Sequence, residues 1–135
     1  MHRKIQIKTF GQALYEITGE ITDIVASADV DNGLCNIFLQ HTSASLLIQE
    51  NADPSAKYDL EQWIKRFIPE NDPNFTHTCE GPDDMPAHIK AAISQVNLTI
   101  PIIEGTLALG RWQGIYLWEH RSHKHLRSVI VSCFG

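Results

Sequence analysis

LTIPIIEGTLALGRWQGIYLWEHRSHKHLRSVIVSCF, residues 98–134, decides the fold class. Its apolar runs at 98–103, 106–109, 112–120 and 126–134 are rich in Ile, Leu, Val, Tyr and Trp, and turn residues separate them at Glu104-Gly105 and Ser122–His125. Such runs read as strands. No helical segment lies between them, so antiparallel hairpins are favoured over a wound parallel sheet. Within 112–120, Trp112, Tyr116 and Trp118 share one strand parity, whereas Gln113, Ile115, Leu117 and Glu119 share the other.

Working outward, Lys4-Ile5-Gln6-Ile7-Lys8 alternates polar and apolar residues as a half-buried strand does, and Leu14–Ile17 reads as a second short strand after Gly11. The period then changes. Ile21, Ile24, Val25 and Ala28 recur at helical spacing, with Thr18 and Glu20 as start signals. After the turn Asp31-Asn32-Gly33, strands are expected over 34–40 and 44–48, joined by His41-Thr42-Ser43. Asp53-Pro54 opens a helix whose expected apolar face is Ala56, Leu60, Trp63, Ile64 and Phe67. A polar loop over 69–84 precedes another helix, which starts at Asp83 or Asp84 and runs to about Ser94. The expectation is a single α+β domain over 1–135, with a β-sandwich-like core of mostly antiparallel strands, two main helices and one shorter helix.

Composition narrows the function. A chain of 135 residues with 43% hydrophobic and 20% charged residues can bury a core without disulfide staples. Its 16 acidic and 11 basic side chains give a formal charge of −5, which argues against nucleic acid and against a polybasic membrane role. No apolar stretch reaches the roughly 20 residues of a bilayer span, and the opening Met-His-Arg-Lys-Ile-Gln-Ile is no signal sequence, so a cytoplasmic location is expected. Cys35, Cys79 and Cys133 are odd in number and far apart, a poor framework for disulfides or an all-thiolate zinc site. Phosphate-loop, dinucleotide, nucleophile-elbow and His-Glu-x-x-His signatures are absent.

The remaining polar residues gather in three segments: 40–53, 77–88 and 110–121. The seven histidines fall partly within them, and neutral imidazoles suit zinc and related transition metals. No two histidines have a diagnostic metal spacing, so the fold has to assemble any such site. Asp53 and Asp84 have a sufficient role as helix caps, and Cys79 reads as a small packing residue. His120 and His123 border the last hairpin, where surface positions are common.

These segments carry a resemblance. His41-Thr42-Ser43-Ala44-Ser45-Leu46, Gln49-Glu50-Asn51-Ala52-Asp53-Pro54, His77-x-x-Glu80-Gly81, Asp84-Met85-Pro86-Ala87-His88-Ile89-Lys90 and Gly110-x-Trp112-Gln113-Gly114-Ile115-Tyr116 resemble the YjbQ-like family of secondary thiamine-phosphate synthases over the whole length. Arg111 departs from that pattern, standing where a small residue is expected. The resemblance implies a homotrimer and a site near a subunit interface. In it His41, His77 and His88 hold a divalent metal, zinc or another transition metal. Glu80, Asp53 and Gln113 take catalytic roles, and Ser43, Asn51, Lys90, Arg111 and Glu119 contact a small-molecule substrate. The implied reaction joins a pyrimidine-methyl diphosphate to a thiazole phosphate and releases pyrophosphate, for which magnesium is the usual ion. Two alternatives stand beside it: metal-assisted hydrolysis of a small metabolite, and a trimeric module that binds a metal or phosphorylated metabolite without turnover.

Overall fold

The alternating stretch at the start extends to a full strand, β1 (His2–Phe10), in the computed structural model, which describes residues 1–135. It is followed by β2 (Ala13–Glu16), α1 (Thr18–Ser27), β3 (Gly33–Leu39) and β4 (Ala44–Glu50). Next come α2 (Pro54–Phe67), α3 (Asp84–Ile93), β5 (Asn97–Ile103), β6 (Thr106–Leu107), β7 (Gln113–Glu119) and β8 (Lys124–Phe134). One sheet has the order β1-β8-β3-β5-β6 and the other β2-β7-β4, every pairing antiparallel. The α+β reading holds, with one longer helix of 14 residues and two of 10 in place of two main helices and a shorter one.

Strand periodicity builds the core. Cys35, Ile37 and Leu39 of β3, Leu98, Ile100 and Ile102 of β5, and Val129, Val131 and Cys133 of β8 point inward from the five-stranded sheet. They meet Ala44 and Leu46 of β4 and Ile115 and Leu117 of β7, while Ile21, Ile24 and Val25 of α1 complete the same core. Thr18 does not cap α1 with its side chain. Its hydroxyl instead donates to Glu16 Oε2 (2.8 Å) and accepts from the Ile115 amide (2.9 Å), joining the helix start to β7.

The outer face of the three-stranded sheet is also covered within the chain. Leu14, Tyr116 and Trp118 pack against Ile64 and Ile68 of the α2 segment, so both parities of β7 are buried. Asp53 caps α2 as its sequence requires, accepting from the Ser55 amide at 2.9 Å. The expected apolar face of α2 is only partly right: Ile64 is buried, but Trp63 and Phe67 are 45% and 59% exposed and stack on each other with ring centroids 4.9 Å apart. A sheet of three strands is too narrow to cover the whole width of that stripe. Gly114 is fixed by close approach, since a Cβ there would lie 2.8 Å from Glu16 Oε2 and 2.9 Å from Asn51 Cβ. No helix is long and apolar enough to cross a membrane.

Candidate functional site

The first turn of α3 and the loop before it assemble the one three-residue group able to ligate a metal ion: His77, Asp84 and His88, whose ligand atoms all lie within 4.8 Å of one another. Asp84 and His88 are four residues apart on one helix, so both side chains leave the same face. His77 arrives from the polar loop. Its Nε2 lies 2.7 Å from Asp84 Oδ2, and His88 Nε2 lies 3.2 Å from that same oxygen. The two imidazoles stand edge to face with centroids 5.5 Å apart.

The hydrogen bonds around His88 define its tautomer. His88 Nδ1 is 3.0 Å from the carbonyl oxygen of Thr42, an acceptor only, so Nδ1 carries the proton. In the neutral ring Nε2 is then a lone pair, and it faces a carboxylate oxygen. Asp84 is 1% exposed and its other oxygen, Oδ1, accepts from Arg121 Nη1 at 2.7 Å. Burial alone would raise the Asp84 carboxyl, but the His77 bond and the Arg121 charge outweigh it and hold it below the ordinary carboxylate value. Arg121 also donates through Nε to Asp83 Oδ2 (2.9 Å) and through Nη2 to the Glu80 carbonyl (2.9 Å). One guanidinium therefore ties the β7–β8 turn to the loop and helix that hold the cluster. A cleft of about 560 Å³ borders it on the His88 side, and a smaller cavity of about 230 Å³ on the His77 side.

His41 does not join this group. Its Nε2 accepts from the Ser128 amide (2.8 Å), so in the neutral ring Nδ1 carries the proton and faces Arg127 Nη1 at 3.3 Å, and neither nitrogen offers a lone pair to an ion. Burial and the Arg127 charge keep it neutral by lowering its pKa. Asp84 takes the third place, and the Asp-x-x-x-His spacing on a helix is the sequence signal that points to it. The side chain of Asp84 is not used as a cap; it turns to the histidines and Arg121.

The other residues implied by the resemblance disperse. Glu80 is exposed beside the cluster and engages Arg121 through its backbone. Asn51 and Asp53 line a separate acidic cavity with Glu16 and Glu50. Gln113 folds back to accept from the Gly110 amide at 2.7 Å. Arg111 lies over its neighbour Trp112, 4.8 Å from the ring centroid. Lys90, 2% exposed, faces the opposite way into a crevice with Ile64, Trp118 and His120. Ser43 is buried, and its carbonyl accepts from Arg127 Nη2 at 3.2 Å. Glu119 is an interior ion-pair partner: it accepts from Arg127 through both oxygens, from Thr9 Oγ1 (2.6 Å) and from the Arg121 amide (3.1 Å).

Comparison with known proteins places this chain in a family. The model described as UPF0047 protein YjbQ-like matches residues 3–135. A UPF0047 protein of Synechocystis is 46% identical over 129 residues, covering 96% of this chain and 88% of its own length. The UPF0047 protein YjbQ of Salmonella typhimurium is 41% identical over 134 residues, covering 98% of this chain and 96% of its own. Among solved structures, an uncharacterized conserved protein of the YjbQ/UPF0047 family from Clostridium acetobutylicum superposes with a TM-score of 0.90 at 32% identity, covering 98% of this chain and 99% of its own. A YbjQ-like protein of unknown function from Sulfolobus solfataricus gives a TM-score of 0.87 at 25% identity, covering 100% and 98%. These descriptions overturn the expected thiamine-phosphate synthesis, because the relatives are described by family or as uncharacterized and none by that activity. The geometry agrees with the correction: Lys90 lies in its own crevice and Arg111 over Trp112, so the two expected cations do not converge on a diphosphate.

Proposed function

Because this chain belongs to the YjbQ-like family, whose relatives are described by family alone, the chemistry has to be read from the site, and we propose that His77, Asp84 and His88 hold a divalent transition metal and present it to a small molecule. One observation carries the reading. His77 Nε2 and His88 Nε2 both turn to Asp84 Oδ2, at 2.7 and 3.2 Å, and the Thr42 carbonyl already occupies His88 Nδ1, so three donor atoms converge with Nε2 left as the ligand atom of His88. Two imidazoles and one carboxylate suit zinc or ferrous iron, whereas magnesium prefers oxygen ligands and octahedral geometry. Three protein ligands leave coordination positions open. When bound, such an ion supplies Lewis acidity to whatever occupies them. This chain's own residues orient the donors: the Thr42 carbonyl sets the His88 tautomer, and Arg121 fixes the Asp84 carboxylate.

Calorimetric titration of metal-free protein with zinc tests this directly. Wild type should bind one ion per chain, and His88→Ala should weaken binding at least tenfold while the circular dichroism spectrum is unchanged. Affinity should fall as the solution is acidified, since every ligand has to be unprotonated. Equal affinity in wild type and His88→Ala removes the proposal.

Self-association into a homotrimer belongs to the same reading. Leu34 and Phe134, cross-strand partners on β3 and β8, are both exposed on the outer face of the five-stranded sheet, with Ile103 of β5 exposed on the same face, apolar side chains of the kind that dock another subunit. The three-fold state is what the family resemblance implies. Sedimentation equilibrium at micromolar concentration should give three times the 15.2 kDa chain mass. A folded monomer under those conditions rejects the trimer.

A further inference from the structure

The cleft on the His88 side of the cluster has a one-sided chemistry. Its walls are Phe38 and Leu39 at the end of β3, Ala91 and Ala92 on α3, and Val96, with Gln40, His41, Thr42 and His88 as its polar members. No Lys, Arg, Asp or Glu lines it. Ala91 and Ala92 stand three and four residues beyond His88, so the helix face that presents the ligand continues into the cleft as bare backbone and methyl groups. A charged or phosphorylated body would enter this space without a counter-ion, at a desolvation cost nothing in the walls offsets.

Resting on the metal reading above, we infer that the small molecule served by this site has an oxygen or nitrogen donor head for the ion and an uncharged, apolar body that fills the cleft between β3 and α3. The head meets the ion beside His88, and the body lies against Phe38, Ala91, Ala92 and Val96. Ala92 is exposed at the cleft surface, so a larger side chain there fills the space without entering the core. His41 borders the cleft with Nε2 taken up by the Ser128 amide and Nδ1 turned toward Arg127, which leaves it a wall of the cleft.

Two hydroxamates sharing one metal-binding head separate the terms: acetohydroxamate carries a methyl body and benzohydroxamate a phenyl body. On zinc-loaded protein, benzohydroxamate should bind about 10- to 30-fold more tightly, the size expected for burying a phenyl group. In Ala92→Phe that preference should fall to the one shown by zinc in solution, with the zinc content of the variant unchanged. Equal affinity for the two probes on zinc-loaded wild type overturns the inference. So does a preference that survives Ala92→Phe. Absence of zinc binding refutes the metal reading instead, and benzamide added to the metal-free protein then judges the cleft. Amide shifts confined to Ala91, Ala92 and Val96 support the apolar body, and no shifts there overturn it.

Discussion

Arg127→Met should lower the unfolding free energy by about 3–5 kcal/mol, the loss expected when one partner of a buried ion pair is removed. Glu119 is wholly buried, and Arg127 engages both of its oxygens, reaching Oε1 through Nε at 2.7 Å. Burial alone would raise the Glu119 carboxyl, but Arg127, Thr9 and the Arg121 amide hold it below the ordinary value. Without the guanidinium, a carboxylate sits in the interior with two neutral donors. The same substitution frees the Ser43 carbonyl and removes the cation facing His41, so the turn between β3 and β4 loosens with it. Adding Glu119→Gln to Arg127→Met should recover part of the loss, because it removes the stranded charge. Urea denaturation of the two variants checks this. A single variant within about 1 kcal/mol of wild type would show that the pair contributes little to stability.

The second large effect is on the acid limb of stability. His120 is 1% exposed, its Nε2 is 2.9 Å from Ser45 Oγ, and burial, with the Lys90 charge nearby, pushes its pKa down to about 3 from 6.5. A histidine held neutral in the fold and free to protonate when unfolded favours the unfolded chain as acid is added. Its contribution is therefore fully present above pH 6.5 and drains away as pH falls toward about 3. Each unit in that window removes about 1.4 kcal/mol. Between pH 6.5 and 4.5 wild type should lose about 2–3 kcal/mol through this residue alone. His120→Gln keeps a hydrogen-bonding side chain for Ser45 and cannot take up the proton, so its stability should be flatter by that amount across the window. Identical slopes in the two proteins would mean that His120 protonates in the folded state as readily as in the unfolded one.

Part of the candidate site is legible in the residues themselves. His77 and His88 stand out because their loop and helix-start positions let polar side chains reach a pocket without interrupting a strand ladder. Asp84 reads as a cap, since an acidic residue at a helix start has that local role available. Only its Oδ2 contacts with His77 and His88 and its Oδ1 contact with Arg121 show otherwise. His41 departs in the opposite direction. Its neighbours along the chain are polar and motif-like, but β8 lies alongside it and supplies the Ser128 amide and Arg127, partners 87 and 86 positions away.

Local order, by contrast, follows from short-range chemistry and is written in the chain. Alternation in β1, helical spacing in α1, Asp53-Pro54 at the head of α2 and the turn at Glu104-Gly105 each act over a few residues, where propensity, capping and backbone geometry decide the outcome. Which strands become neighbours is settled only by tertiary packing. The insertion of β8 between β1 and β3, and of β7 between β2 and β4, joins segments that no local signal connects. Packing also sets the state of the charges: Glu119 and Arg127 have the composition of surface residues, and pairing across β7 and β8 makes them interior. A side chain's burial, tautomer and ion partner depend on long-range packing, so His77, Asp84 and His88, close in sequence, gain a fixed His88 tautomer and a fixed Asp84 carboxylate only when Thr42 and the Arg121 turn between β7 and β8 meet α3.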